Sequence, residues 1–258
     1  MKNIISRDNP TYKQLKKLGE SARERRKSGR ALLDGVHLIE TFLATGRQPE
    51  LLVVSETGLG HPECALLLKS VPTSLVVVVP DVLFKELSPV ETPVGLLAEI
   101  AIPSPAIPEN PQFCVLLDDL QDPGNVGTII RTAAAAGCDA LFLSPGCADA
   151  WSPRVLRAGM GGHFALTICE SADLVAIAKN FSGKIYAMEA AAARGLYQNQ
   201  LNGQLGFAIG NEGAGLSDAL MQACEVIAIP MPGKMESLNA ATAAAVCLFE
   251  AVRQREGG

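Results

Sequence analysis

A polar segment that interrupts an apolar scaffold, Asp118 to Arg131, constrains the fold of this chain most strongly. It follows an apolar run, Phe113–Leu117, that predicts a buried parallel strand, and it leads into an alanine-rich stretch of helical period that ends at Gly137. The segment is therefore predicted to be a strand-to-helix corner. In open α/β sheets, ligands bind at such corners, beyond the carboxyl ends of the strands.

The corner contains residues suited to a turn and to the start of a helix. Pro123 and Gly124 predict the turn, and Asn125 is predicted as the N-cap of the helix that follows. Arg131 falls outside the apolar stripe of this helix and is predicted to project away from the sheet. It can bind an anion or make a weak surface salt bridge, and the spacing alone favours neither.

Strands and helices alternate regularly after the corner. Strict alternation is typical of a parallel sheet covered by helices on both faces. The predicted strands are residues 113–118, 140–143, 164–168, 184–188, 205–210 and 225–229. The predicted helices are residues 125–136, 153–160, 172–181, 216–222 and 237–254.

A proline-rich segment separates this region from the first hundred residues, which repeat the alternation on a smaller scale. Residues 1–102 are predicted to form a small α/β domain, with one helical stretch from Pro10 to about Lys27. The prolines that follow exclude regular helix and central strand, so residues 103–111 are predicted to be a stiff linker. Residues 112–258 are then the second, larger domain.

The charge of the chain is distributed unevenly. The formal net charge is −5, yet residues 1–30 carry ten basic and three acidic side chains, a local balance of +7 that leaves −12 for the remainder. A basic segment on an acidic body is typical of a local site for a polyanion such as nucleic acid. A solvated helix face would give the same pattern.

Cysteine and histidine usage gives little support for a metal site. The seven cysteines are scattered and never form a Cys-x-x-Cys pair, which predicts buried, reduced thiols, and the three histidines stand alone. No apolar stretch reaches the roughly 18 residues that span a bilayer, and the N-terminal residues lack the apolar core of a signal peptide. A cytoplasmic location without membrane association is therefore expected.

Two further polar segments follow predicted strands. Gly210–Leu216 contains three glycines, which allow backbone to approach a ligand closely. Ile229–Asn239 leads into the last helix, where Ser237 is predicted either to cap the helix or to contact a ligand. An apolar stripe of this helix that includes Leu238 and Phe249 is predicted to be buried. Because parallel strands end at one edge of a sheet, the three polar segments are expected to share one crevice.

Common nucleotide and hydrolase signatures do not occur in the sequence. The glycines after the fifth predicted strand are spaced G-x-x-G-x-G, which differs from the dinucleotide fingerprint. There is neither a G-x-x-x-x-G-K-[ST] phosphate loop nor a G-x-S-x-G elbow. Hydride transfer, ATP hydrolysis and serine-hydrolase chemistry are therefore disfavoured.

The three polar segments together resemble the three motifs of the SpoU family of RNA ribose methyltransferases, also called the TrmH family, within the SPOUT superfamily. Asp122–Gly127 with Arg131 matches the first motif, Gly210–Gly213 the second and Ser237–Asn239 the third. Arg30–His37, with the basic stretch before it, is similar to the small ribosomal-protein-like substrate-binding domain of the family.

The resemblance implies a fold, a cofactor and a reaction. The fold is a parallel-sheet SPOUT domain with a deep trefoil knot, paired as a homodimer and preceded by the small α/β substrate-binding domain. The cofactor is S-adenosylmethionine, and its methyl group is transferred to a ribose 2′-oxygen of RNA. Ribosomal RNA, above all 23S rRNA, is favoured over tRNA. The alternative of a different class is a non-catalytic RNA-binding protein on the same scaffold.

The motif match also implies roles for individual residues. Arg131 is expected to act by its charge or by holding a phosphate, because a guanidinium stays protonated and is a poor base. Glu212 is expected to hold Arg131 or a backbone amide. The expected catalytic set is Asn125, Arg131, Glu212, Ser237 and Asn239. The expected cofactor-binding set is Gly210, Asn211, Ile229, Met231 and Leu238. The expected RNA-binding set is Arg23, Arg25, Arg26, Lys27 and Arg30.

Overall fold

The computed structural model describes residues 1–104, 106, 108 and 110–257. Positions 105, 107 and 109 of the predicted linker 103–111 lie outside these described residues. The chain divides into two compact units. The first unit contains residues 1–104 together with 151–164, and the second unit contains the rest of the described chain.

Each unit has one β-sheet flanked by helices. The strands of the first unit are β1 (Lys2–Asn3), β2 (Arg30–Asp34), β3 (Leu51–Ser55), β4 (Val76–Val79) and β5 (Leu96–Ala101). The strands of the second unit are β6 (Phe113–Leu117), β7 (Ala140–Leu143), β8 (Thr167–Cys169), β9 (Lys184–Met188), β10 (Leu205–Ile209) and β11 (Glu225–Ile227). The α-helices are α1 (Pro10–Glu20), α2 (Ala22–Ser28), α3 (Val36–Leu43), α4 (Glu56–Leu59), α5 (Pro62–Leu68), α6 (Asp81–Leu87), α7 (Pro123–Ala135), α8 (Pro153–Gly159), α9 (Leu174–Asn180), α10 (Asp218–Ala223) and α11 (Ala240–Glu256).

The sheet of the first unit has the order β1–β4–β3–β5–β2, and β5 runs antiparallel to both of its neighbours. Tyr12, Leu15 and Leu18 recur at helical spacing along α1, and all three are buried in the core of this unit. Helix α8 packs against the edge strand β2, and Phe42 meets Phe164 edge to face. The segment 151–164, which follows the corner by only about twenty residues in sequence, therefore belongs to the first unit.

The basic N-terminal stretch forms two helices rather than the one that the sequence predicts. Helix α1 ends at Glu20, and Ser21 caps α2 by accepting a hydrogen bond from the N–H of Glu24 at 3.3 Å. A serine whose side chain caps a new helix competes with continuation of the old one, which explains the break.

This break turns Arg25 inward. Arg25 is 4% exposed, and its guanidinium donates to the carbonyl oxygens of Leu18 at 2.5 Å and Gly19 at 3.3 Å. These carbonyls belong to the last turn of α1, where helical partners are missing. Arg25 therefore closes α1, and its expected role in RNA binding is wrong because the side chain is not accessible.

The other expected RNA-binding residues lie nearer the surface. Arg30 is half-buried, and it donates to the buried Glu99 at 2.7 Å and to Glu50 at 3.3 Å, so two carboxylates compensate its charge. The three remaining residues are exposed on α2; they are Arg23, Arg26 and Lys27.

The sheet of the second unit has the order β11–β9–β10–β6–β7–β8, and all of its strand pairs are parallel. The predicted parallel α/β fold is thus confirmed, and the trefoil knot stays a prediction. Strands β6 and β10 are central and wholly buried, with Leu117 opposite Ile209. Because the two strands end level, the segments that follow them begin side by side.

All seven cysteines are free, and five of them are buried. Burial raises the pKa of the Cys224 thiol to about 11 and that of Cys138 to about 12, so both thiols stay protonated at neutral pH. Within the part of the chain that the structure describes, no helix is long and apolar enough to cross a membrane.

Replacing Arg25 by glutamine should destabilise the first unit, because the last carbonyls of α1 lose a charged donor. We expect the free energy of unfolding to fall by about 2 kcal/mol in urea denaturation. Arg26→Gln removes the neighbouring, exposed arginine and should change this free energy by less than about 0.5 kcal/mol. Equal stability of the two variants would contradict the role of Arg25.

Candidate functional site

A cleft of about 610 Å³ lies at the carboxyl edge of the sheet in the second unit, a volume typical of small-molecule sites. Its walls come from the residues that follow three neighbouring strands and from the first turn of the last helix. The lining residues are 188–190 at the end of β9, 209–215 at the end of β10, 229 and 231 after β11, and 236–240 with 243 at the start of α11. All five expected cofactor-binding residues and three of the five expected catalytic residues are among them.

A chain of side-chain hydrogen bonds joins the three sequence motifs at this cleft. The Nδ2 of Asn239 donates to Oδ1 of Asn125 at 2.9 Å, and the Nδ2 of Asn125 donates to Oε1 of Glu212 at 2.6 Å. The Oδ1 of Asn239 accepts the N–H groups of Ala241 and Thr242 at 2.9 and 3.2 Å. The Asn239–Asn125–Glu212 chain therefore fixes a carboxylate relative to the first turns of two helices.

The cap of α7 differs from the predicted one, and the capping alternative for Ser237 is wrong. Asp122 caps α7, since its Oδ1 accepts the N–H of Asn125 at 2.7 Å and Pro123 occupies the first helical turn. The Asn125 side chain is thereby left to join Glu212 and Asn239. Asn239, not Ser237, caps α11. The Ser237 hydroxyl lines the cleft and makes no hydrogen bond with another described residue.

Asn211 and Asp118 hold the glycine loop after β10 in shape. The Oδ1 of Asn211 accepts the N–H of Gly213 at 2.9 Å, and its Nδ2 donates to the carbonyl oxygen of Asp119 at 2.8 Å. Asp118 accepts both the N–H and the hydroxyl of Ser217, at 2.8 and 2.7 Å. The loop is therefore tied at both ends to the carboxyl end of β6.

Gly210 occupies a position that only glycine fits. A Cβ there would overlap the backbone of Gly215 and Leu216, which the loop folds against it. At Gly213 a Cβ would meet its nearest neighbour, Oδ1 of Asn211, at an ordinary 3.6 Å. The close approach at Gly210 thus brings the backbone of the loop up to the cleft.

The charge of the cleft is negative. Its lining includes three carboxylates, and no lysine, arginine or histidine occurs among the described residues that form it. Such a site favours a ligand with a positive group and an apolar part over a phosphate. The carboxylates are Glu189, Glu212 and Glu236, and the large apolar residues are Met188, Ile209, Ile229, Met231 and Leu238.

The sequence motifs do not predict the wall at the end of β9, where Met188, Glu189 and Ala190 line the cleft. The Oε1 of Glu189 accepts the N–H of Ala191 at 3.3 Å. These residues carry no recognisable motif. They do follow a predicted strand, so the rule that parallel strands end at one edge could have identified them.

Arg131 does not line the cleft. It lies six residues after Asn125 on α7, a rise of about 9 Å along the helix axis. Its side chain is exposed and makes neither a hydrogen bond nor an ion pair with any other described residue. Glu212, expected to hold Arg131 or a backbone amide, accepts its hydrogen bond from Asn125 instead. In the described part of the chain, no group of three or more metal-ligating side chains occurs.

The fold and the cleft define an α/β protein that binds a small molecule at the carboxyl edge of a parallel sheet. The model of the SpoU rRNA Methylase family matches residues 112–249, and that of the MRM3-like substrate binding domain matches residues 9–98. The chain belongs to the SpoU rRNA methylase family.

Relatives match over nearly the whole chain. The 23S rRNA (guanosine(2553)-2'-O)-methyltransferase RlmP of Bacillus subtilis is 33% identical, covering 96% of this chain and 98% of its own. The 23S rRNA (uridine(2479)-2'-O)-methyltransferase of Streptomyces viridochromogenes is 31% identical, and the match covers 100% of this chain and 94% of that protein. Among solved structures, this chain is similar to the crystal structure of the SpoU methyltransferase AviRb from Streptomyces viridochromogenes in complex with the cofactor AdoMet. The TM-score is 0.87 and the sequence identity 28%, and the match covers 97% of this chain and 99% of AviRb.

Two substitutions separate the two tasks of Asn239. Asn239→Asp keeps an acceptor for the helix N–H groups, so its free energy of unfolding should stay within about 0.5 kcal/mol of the wild-type value. Asn239→Ala removes the cap, so its free energy of unfolding should fall by about 1 kcal/mol. Both variants lack the amide that donates to Asn125. The side-chain amide resonance of Asn125 should therefore shift in both, as followed by NMR, while urea denaturation separates them. An equal loss of stability would contradict the capping role.

Proposed function

We propose that this chain is an enzyme that transfers a methyl group from S-adenosylmethionine to a ribose 2′-hydroxyl of 23S rRNA. The observation that carries the proposal is the Asn239–Asn125–Glu212 chain, which gathers the three motifs of the family at one cleft. Two relatives of full length are named as 23S rRNA 2'-O-methyltransferases, which supports this substrate over tRNA and over a non-catalytic role.

The cleft fits S-adenosylmethionine by charge and by shape. Bound there, this cofactor supplies a methyl group activated by a sulfonium, and its sulfonium and ammonium groups make it cationic overall. The carboxylates of Glu189, Glu212 and Glu236 suit that charge. Ile209 and Ile229 provide apolar surface for an adenine, and the backbone next to Gly210 can approach the ligand closely.

The residues of the three motifs orient the ribose and accept its proton. Glu212 uses Oε1 to accept from Asn125, while its Oε2 makes no hydrogen bond with any other residue in the described ranges. We assign Oε2 to accept a hydrogen bond from the 2′-hydroxyl. This contact would orient the hydroxyl oxygen in the cleft and place a carboxylate where it can take up the proton that the oxygen releases on methylation. The Ser237 hydroxyl is free to bond the nucleotide or the cofactor.

Arg131 is assigned to the phosphate next to the reacting ribose. It is an exposed cation on the helix that also carries Asn125, and no described side chain compensates its charge. A guanidinium stays protonated in proteins, so it acts as a fixed positive charge rather than as a base. It also presents paired N–H donors that match a phosphate.

The first unit is assigned to bind RNA through phosphate contacts. Arg23, Arg26 and Lys27 are exposed on α2, and a groove between α1 and α2 is lined by Lys13, Lys17 and Lys27 together with Glu24. Such contacts supply affinity that falls with salt and carry little sequence information.

Ribose methylation mapped across total RNA, from cells with and without this chain, tests the proposal. We expect a 23S rRNA ribose to lose its methyl group without the chain and regain it on re-expression. Arg131→Ala should not restore it, although its affinity for S-adenosylmethionine stays within about twofold. Lys179→Ala, which removes an exposed cation on α9, should restore it fully. An unchanged methylation pattern would overturn the proposal, and restoration by Arg131→Ala would remove Arg131 from the reaction.

The close packing of Gly210 against the backbone of Gly215 and Leu216 predicts that a larger residue at this position weakens cofactor binding. In Gly210→Ala the new methyl group must push the loop away from the cleft, so the dissociation constant of S-adenosylmethionine should rise about thirtyfold or more by calorimetry. Gly213→Ala adds the same atom to the same loop without overlap, so it should change the dissociation constant of S-adenosylmethionine by less than about threefold. Equal affinities would show that the loop does not hold the cofactor.

A homodimer formed through the second unit is also part of the proposal. Phe249 on α11 is 48% exposed and Leu238, two residues before this helix, is 39% exposed. The sequence predicts both in a buried stripe, and a second copy would cover them. Phe249→Ser should reduce the sedimenting mass from two chains to one. Val82→Ser, at an exposed apolar position of the first unit, should leave it unchanged. A monomeric wild type would contradict the dimer.

A further inference from the structure

A second cleft, of about 480 Å³, lies at the opposite edge of the same sheet, where β9 and β10 begin. Its walls are the first residues of those strands, such as Lys184 and Leu205, and the connection between them. The connection contributes Arg194, Gln198, Gln200 and residues 202–204. The two clefts therefore occupy opposite ends of the same strands. We call the second one the amino-edge cleft.

A buried tyrosine without a hydrogen-bond partner lines the amino-edge cleft. Tyr186 is 1% exposed, and its ring packs beside Phe207 with 6.0 Å between centroids. Its hydroxyl makes no hydrogen bond within the described chain, although the charges of Lys184, Glu225 and Arg194 act on it. Burial raises the pKa of Tyr186, so the hydroxyl remains a donor at neutral pH. The hydroxyl oxygen is not among the fully buried polar atoms, so it reaches the cleft and is available to donate a hydrogen bond to a ligand there.

The amino-edge cleft has a positive charge that its neighbours compensate only in part. Glu225 accepts from Nζ of Lys184 at 2.8 Å and lies 3.6 Å from Nη1 of Arg194. One carboxylate thus faces two cations, and both cations are about half exposed. This surface is suited to a phosphate, in contrast to the carboxylate-lined cleft at the other edge.

Side-chain amides form the rim of the amino-edge cleft. Gln200 and Asn202 are exposed, and neither side chain bonds to another residue that the structure describes. Gln198 already accepts a hydrogen bond from the N–H of Gly195, and Gln204 already donates one to the carbonyl oxygen of Pro111. A free carboxamide offers a donor and an acceptor side by side, which is the pattern that matches the edge of a nucleobase.

The wall that carries these amides is anchored by the last helix. Gln254 accepts the N–H of Leu201 at 2.8 Å and donates to the carbonyl oxygen of Asn199 at 3.2 Å. Arg255 donates to the carbonyl oxygen of Gly203 at 2.8 Å. The rim is therefore held in place before any ligand arrives, which lowers the ordering cost of binding.

We propose that the amino-edge cleft binds one unpaired nucleotide of the RNA substrate, remote from the methyl donor. Lys184 and Arg194 hold its phosphate, the Tyr186 hydroxyl donates a hydrogen bond to it, and Gln200 and Asn202 read the edge of its base. This inference rests on the proposed function, and it adds a second RNA contact at the far edge of the sheet.

A pair of isosteric charge changes tests the cleft. Gln200→Glu with Asn202→Asp places two negative charges on the rim without breaking a described hydrogen bond. The KM for in-vitro-transcribed 23S rRNA should rise about fivefold to tenfold, and the rise should shrink with salt, because the added charges repel phosphate. The kcat and the affinity for S-adenosylmethionine should not change. Gln222→Glu with Asn180→Asp adds the same charge on exposed positions of α10 and α9, outside the cleft, and should leave the KM within about twofold.

Tyr186→Phe provides a second, independent test. It removes only a hydroxyl that bonds nothing in the described chain, so the melting temperature should hold while the KM for 23S rRNA rises about threefold. Ultraviolet cross-linking of the wild type to that RNA should attach nucleotides to the peptides spanning residues 184–205.

Three results separate the possible failures. An unchanged KM in both cleft variants, with normal methyl transfer by the wild type, would overturn this inference and leave the proposed function standing. Cross-links confined to other peptides would do the same. No methyl transfer to any RNA by the wild type would overturn the proposed function and this inference with it.

Discussion

Strands β6 and β10 lie side by side in register at the centre of the second unit, and this pairing decides where the functional segments meet. Leu117 lies opposite Ile209, and the ladder continues with a hydrogen bond of 2.9 Å from the N–H of Asp118 to the carbonyl oxygen of Ile209. A shift of one residue would move every side chain of a strand to the opposite face, where the neighbours packed against it differ, so close packing fixes the register. The backbone thus brings the start of α7 beside the glycine loop, and Asn125 and Glu212 then bond across the gap.

The two edges of this sheet have opposite electrostatic character. Carboxylates line the cleft at the carboxyl edge, where the proposed ligand is a cation, and two basic side chains line the cleft at the amino edge, where the proposed ligand is RNA. The net charge of −5 opposes RNA at long range. Beyond roughly 8 Å this repulsion is largely screened at physiological ionic strength, so local basic surfaces decide where RNA binds.

The sequence predicts the elements well where apolar runs end at turns, and less well where two residues compete for one role. Strands β7 and β9 have their predicted bounds, whereas β8 is shifted because residues 162–164 form a 3₁₀ turn in place of its predicted start. Asp122 and Asn125 are both good caps, and Pro123 after Asp122 decides between them. Helical periodicity could not predict that Arg25 points inward, because the break at Ser21 resets the period. Glu189 carries no motif, so only the topology of the sheet identifies it.

The path of the chain has a consequence for how the two units can be separated. Residues 151–164 belong to the first unit, although the segments before and after them belong to the second, so the backbone passes between the units three times. A protease that cuts once within residues 103–111 therefore leaves two covalent connections intact. A fragment that stops at residue 104 lacks α8, the helix that covers the edge strand β2. The two units are therefore joined by three backbone connections, and a single cut cannot release either unit as one intact piece.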